Sequence, residues 1–196
     1  LDQVQSKIAS CNAKYTVAKP LFESDRALEL LAYFPTAYVI WLFRDPTSVV
    51  HSMKKKWDDQ FFEISRKVES DEEGRWRCES LVDEIEAEAR SHPALDERYA
   101  LFWKKRNEIA FANGLDKNER VLFLNYETLV KYPEYCIEVI MRKASGGDVW
   151  RFFHTDANND SLRKSLSLNI SDQTQNDCQA LYERLNALSA RDFPFE

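Results

Sequence analysis

Apolar residues along this chain form two short unbroken runs and several longer stretches with helical spacing. Tyr38-Val-Ile-Trp-Leu-Phe43 and Val121-Leu-Phe-Leu124 are continuous and rich in β-formers. That pattern suits central strands of a parallel sheet, buried on both faces. Directly after the first run, Asp45 is a good N-cap and Pro46 a favoured first helical residue. Val49, Val50, Met53 and Trp57 then recur at helical spacing, so strand passes to helix within about three residues, as in α/β units. Leu81, Val82, Ile85 and Ala89 mark a second amphipathic helix. Leu101, Phe102, Ile109 and Ala112 mark a third, ended by Gly114. Residues 132–144 and 171–188 predict two more helices, and residues 3–11 a short one. Tyr15-Thr-Val-Ala-Lys19 is a strand candidate, and Ser24 a candidate cap for a helix reaching about Phe34, where Pro35 ends it. There is no internal repeat and no low-complexity linker. The expectation is one α/β domain over residues 1–196, a parallel sheet flanked by helices, with an acidic helical insert at 58–93.

Composition narrows the function classes. At 44% hydrophobic and 13% aromatic, the 196 residues can bury a substantial core and are too apolar for disorder. The longest apolar run, 37–43, is far short of the roughly 20 residues that span a bilayer. Of the net charge of -6, all is accounted for by residues 69–90, where nine acidic and three basic residues also give -6. No broad basic face for nucleic acid is visible, although single basic residues can still meet a small anion. The four cysteines lie far apart without a C-x-x-C, which speaks against zinc. The chain has only 4 glycines, at 74, 114, 146 and 147. Those positions exclude a G-x-G-x-x-G dinucleotide turn and a G-x-x-x-x-G-K-[ST] phosphate loop.

The first strand-to-helix turn carries the chemistry. Ligands of open α/β sheets bind beyond the carboxyl ends of the strands, and Arg44 sits at such an end. The following helix start offers free N–H groups and a positive dipole end, and a guanidinium matches phosphate oxygens. Ser48 and Ser52 follow one turn apart on one helix face, so an arginine and a hydroxyl can close on one phosphate. The plain structural alternative is an arginine paired with a carboxylate and serines on a solvated face.

The segment Val39-Ile-Trp-Leu-Phe-Arg44-Asp-Pro-Thr-Ser-Val-Val-His-Ser52 resembles the 3'-phosphate motif of sulfotransferases that use 3'-phosphoadenosine 5'-phosphosulfate (PAPS). Lys19-Pro-Leu-Phe-Glu-Ser-Asp-Arg26 and Leu30-Leu-Ala-Tyr-Phe-Pro35 also resemble that family. So do Trp103 and Arg120-Val-Leu-Phe-Leu-Asn-Tyr-Glu-Thr-Leu-Val130 followed by Pro133. The likeness runs from about residue 15 to 145. It implies a P-loop-nucleotide-hydrolase-like sulfotransferase fold and transfer of a sulfuryl group from PAPS to an acceptor hydroxyl, on a carbohydrate or small molecule. By resemblance Arg44 and Ser52 hold the 3'-phosphate, Tyr126 lies at the adenine and Lys19 approaches the sulfuryl bridge. The product would be 3',5'-ADP, and no metal is implied.

The sequence departs from the family in two places. The Gly-containing 5'-phosphosulfate loop and its strand are absent, and the expectation is that they precede Leu1. Where cytosolic members carry a His two residues after the lysine stands Leu21. Some members use an acidic base, which makes Glu23 the candidate, with Asp25 behind it. Glu23 also reads as ordinary helix-start charge. His51 reads as structural. Arg142-Lys-Ala-Ser-Gly-Gly-Asp-Val-Trp150 reads as a Gly-capped helix end rather than a phosphate loop, with Arg163-Lys164 a weak alternative for that role. The insert, by its position, is expected to cover the acceptor site. A non-catalytic nucleotide- or partner-binding module is the first alternative. A nucleotide-dependent kinase is the second, and it calls for a Mg²⁺-binding carboxylate pair that the sequence does not reveal. No membrane segment is visible. A cytoplasmic location is the simpler expectation, with the Golgi lumen open to a chain carrying an upstream anchor.

Overall fold

The apolar run after Tyr38 becomes strand β1, Val39–Phe43, and the second run becomes β2, Val121–Asn125. In the computed structural model, which describes residues 2–10, 15–19, 23–58, 60, 79–146 and 167–194, the two strands pair in parallel. Val39 is opposite Val121 and Phe43 opposite Asn125, so both strands end at the same level. The architecture is α/β and mostly helical, with one small parallel sheet.

Helices occupy both faces of the sheet. In chain order the described helices are α1 (Asp2–Ser10), α2 (Ala27–Tyr33), α3 (Pro46–Trp57), α4 (Glu79–Glu88) and α5 (Leu95–Ala112). After β2 come α6 (Tyr126–Lys131), α7 (Pro133–Ser145) and α8 (Asp172–Asp192). The main core joins Trp41 and Phe43 of β1 and Phe123 of β2 to Tyr99, Ala100, Leu101 and Trp103 of α5, with Val50 of α3 and Leu181 and Leu185 of α8. On the other face Leu122 and Leu124 meet Cys136 of α7 and Phe193, with Ile40 packed against them. Burial holds the thiols of Cys136 and Cys178 up, at about 11 and about 12, so both are inert hydrophobes.

The buried polar side chains of Asn107, Asp96 and Glu97 each have partners. Trp41 Nε1 donates to Asn107 Oδ1 at 3.2 Å, and Asn107 Nδ2 donates to Trp103 O at 2.8 Å. The first turn of α5 carries two buried carboxylates, a placement the helix dipole favours. Glu97 accepts from Ser171 N (2.7 Å), Ser171 Oγ (2.9 Å) and Thr174 Oγ1. Asp96 accepts from Asn169 N (2.9 Å) and pairs with Lys54 of α3. Together they fix the approach to α8, whose N-cap is Ser171.

The edge of β2 away from β1 is closed by helix side chains rather than by a strand. Phe123 N donates to Asp192 Oδ2 at 2.8 Å, and Asn125 N donates to Ser189 Oγ at 3.1 Å. α8 thereby supplies the acceptors that a neighbouring strand would have supplied.

Several expectations change. Residues 15–19 form no strand. The stretch has no regular structure and Val17 is 93% exposed, and no described strand pairs with it. β1 is not buried on both faces, since Leu42 is 50% exposed. Ser24 does not cap α2: a 3₁₀ turn, Glu23–Arg26, intervenes and Arg26 is the N-cap. Other signals hold. Asp45 Oδ1 caps α3 through Ser48 N at 2.8 Å, and Gly114 and Gly146 end α5 and α7 with φ of 66° and 69°. Of the insert at 58–93, the described part includes α4, whose Ile85 enters the main core together with Ala89 of the 3₁₀ turn that follows. Lys105 of α5 pairs with Glu84 and Glu88 of α4, and the contact with Lys105 holds the Glu88 carboxyl below its usual value.

Candidate functional site

The register of the two strands brings their carboxyl ends side by side, and the next residue of each is one of the candidate site residues expected from sequence. Arg44 follows Phe43, and Tyr126 follows Asn125. The Arg44 guanidinium carbon lies 4.8 Å from the centre of the Tyr126 ring, within cation–π range. Arg44 Nε lies 3.4 Å from Glu127 Oε1, with the two side chains 21% and 30% exposed. Glu127 Oε2 is buried and accepts no hydrogen bond among the described residues. Trp103 of α5 donates from Nε1 to Arg44 O at 3.0 Å, fixing the backbone where strand becomes helix.

Asn125 organises the other half. Its Oδ1 accepts from Glu127 N (2.7 Å) and Thr128 N (3.2 Å), capping α6. Its Nδ2 donates to Tyr182 Oη (3.1 Å) and Asn186 Oδ1 (2.7 Å) of α8. The Tyr182 ring meets Phe43 and Trp103 edge-on, with centroids 6.0 and 6.4 Å away. Burial raises the Tyr182 phenol above its usual value, and the negative charges of Glu127 and Asp45 add to the effect. The phenol therefore stays protonated at neutral pH.

The structure brings Arg44 and Tyr126 together. Ser52 lies on α3 about two turns further on; it is exposed and makes no hydrogen bond to Arg44 among the described residues. Lys19 is exposed on the irregular 15–19 stretch, with no described contact to the strand ends. Glu23 is in the 3₁₀ turn, and its side chain lies outside the described residues. Asp25 O accepts from Asn113 Nδ2 at 3.1 Å, and Asp25 Oδ1 is buried without a hydrogen-bond partner among the described residues. His51 is half-buried on α3. Residues 163 and 164 lie outside the described residues, as do 147–150. Sequence reasoning passed over Glu127, Asn125, Tyr182 and Asn186. An Asn at a strand end before a helix is a legible cap, but nothing local ties Tyr182 and Asn186 to it.

Chemically, the strand ends offer one guanidinium, one aromatic face, a protonated phenol and the start of α3. Such a set suits an anionic ligand with a flat ring. Among the described residues no cluster of three or more His, Cys, Asp or Glu converges as metal ligands. No described helix is long and apolar enough to cross a membrane.

The chain matches no family model, no curated protein and no solved structure. The functional reading therefore rests on the site itself.

Proposed function

We propose that the strand-end site binds the 3'-phosphate and adenine of PAPS, and that the chain is a sulfotransferase domain acting on a carbohydrate or small-molecule hydroxyl. The observation that carries this reading is the meeting of Arg44 and Tyr126 at the paired ends of β1 and β2. Arg44 and Ser52 would take the 3'-phosphate oxygens, and the Tyr126 ring would flank the adenine. In the transfer step the acceptor oxygen bonds to sulfur while the bond from sulfur to the 5'-phosphate oxygen breaks, releasing 3',5'-ADP. Lys19 would offset charge on the bridging oxygen, and Glu23 would take the acceptor proton.

A second reading, nucleotide binding without catalysis, is favoured by two observations. Lys19 is exposed and makes no described contact with the strand ends. The described glycines, Gly114 and Gly146, sit at helix ends rather than in a loop after a strand. Calorimetric titration with 3',5'-ADP tests the binding common to both readings, and Arg44→Ala is expected to weaken it by about tenfold or more. Unchanged affinity in the variant refutes the phosphate assignment. Sulfuryl transfer from PAPS to a panel of sugar and phenol acceptors, lost in Lys19→Ala, separates the enzyme from the binding module.

A further inference from the structure

Each positive feature at the strand ends is already faced by a carboxylate of the chain. The N-terminus of α3 is capped by Asp45, whose Oδ1 takes Ser48 N at 2.8 Å. The Arg44 guanidinium has Glu127 Oε1 3.4 Å from its Nε. That distance serves charge attraction but is long for a charge-assisted hydrogen bond. Glu127 Oε2 is buried and unpartnered among the described residues, so this carboxylate is itself poorly satisfied. Its backbone is nevertheless held firmly, because Asn125 Oδ1 binds Glu127 N, and Asn125 is anchored in turn to Tyr182 and Asn186.

We propose that Glu127 is an internal competitor for the anion that binds Arg44, and so a specificity-determining residue of the site. This inference rests on the phosphate reading of Arg44 given above. Without bound ligand Glu127 offsets the arginine's charge. A ligand phosphate must displace it, or bind against its repulsion. A phosphate monoester carries close to two negative charges and up to three acceptor oxygens, and it outcompetes one poorly satisfied carboxylate. A singly charged anion, or a nucleotide lacking the 3'-phosphate, gains nothing at Arg44 that Glu127 does not already provide. The site thereby selects for the terminal phosphate by setting a threshold of charge, at the cost of some affinity.

The test is calorimetric titration of the full chain with two ligands, 3',5'-ADP and 5'-AMP, for wild type, Glu127→Gln, Glu127→Asp, Arg44→Ala and the Arg44→Ala/Glu127→Gln double variant. Circular dichroism and thermal melts establish that each is folded. Glu127→Gln is expected to tighten 3',5'-ADP by about three- to tenfold, the range of one partly buried charge pair. It should leave 5'-AMP unchanged, and Glu127→Asp should stay near wild type because it keeps the charge. The gain should vanish in the Arg44→Ala background, which a merely structural role for Glu127 would not produce. Unchanged or weaker 3',5'-ADP binding in Glu127→Gln, while Arg44→Ala still weakens it, overturns the competitor role and leaves the phosphate reading standing. If Arg44→Ala binds both ligands as wild type does, the phosphate reading fails and this inference fails with it. If Glu127→Gln tightens both ligands equally, its effect is general electrostatics and the specificity role is refuted.

Discussion

The closure of β2 by α8 can be tested at a single atom. Phe123 is fully buried, and its N–H has Asp192 Oδ2 at 2.8 Å as acceptor. The Asp192 side chain is 9% exposed and sits in the last turn of α8, where a helix dipole disfavours a carboxylate. Arg191, at 2.8 Å from Asp192 Oδ1 but 52% exposed, offsets that repulsion only weakly. Asp192→Ala removes a charge-assisted acceptor and strands a buried amide, which costs about 1.5–3 kcal/mol. In a chain of this size that lowers Tm by about 3–12 °C. Asp192→Asn keeps one neutral acceptor oxygen and should cost about half as much. The assays are urea unfolding with unchanged slope and amide hydrogen exchange. Phe123 N–H should lose protection selectively in Asp192→Ala, ahead of Leu122 and Leu124. A loss below about 0.5 kcal/mol, the level of an ordinary surface substitution, together with intact protection at Phe123, would refute the view that α8 stands in for a strand.

Two further stability predictions concern the approach to α8. Glu97→Ala leaves Ser171 N, Ser171 Oγ and Thr174 Oγ1 without their shared acceptor and is expected to cost about 3 kcal/mol. Limited proteolysis should then cut within 167–171 first, and equal resistance to wild type would count against Glu97 fixing the approach to α8. Burial alone would raise the Asp96 carboxyl, but the Lys54 ammonium and Asn169 N–H outweigh it and hold it below the usual carboxylate value. A lowered folded value means this contribution is complete above about pH 4 and is lost as pH falls through the folded value. Glu88 and Asp177, lowered mainly by hydrogen bonds from Lys105 and Lys104, act in the same direction. Asp96→Asn should therefore flatten part of the acid limb of a stability–pH curve below about pH 4, and an unchanged limb would remove Asp96 from the account.

Along the chain itself, local chemistry was decisive for the individual elements. Two apolar runs became β1 and β2. Asp45-Pro46 started α3, and Gly114 and Gly146 ended α5 and α7 in the left-handed region. Each of these depends on backbone preferences and bonds within a few residues, so the residue types suffice to set them. Arg44 was legible as a candidate for the same reason, since it stands at a strand end before a capped helix. Its carboxylate partner was foreseen only as a type; that it is Glu127 depends on strand register. Pairing Phe43 with Asn125 brings residues 44 and 127 together, and a shifted register would separate them.

Tertiary structure alone decided the rest. Tyr15–Lys19 has the composition of a strand and is none, because an extended segment gains stability only from a partner and a buried face. Leu42 belongs to an apolar run, yet half of it faces solvent, since no described element covers that position of β1. The edge of β2 is closed by Ser189 and Asp192, and the strand-end site is lined by Tyr182, although α8 is distant in sequence from both. Contacts of that kind are chosen by which faces exclude water together and which buried N–H groups must find an acceptor. Those conditions hold for the whole packed chain and are written in no single stretch of it.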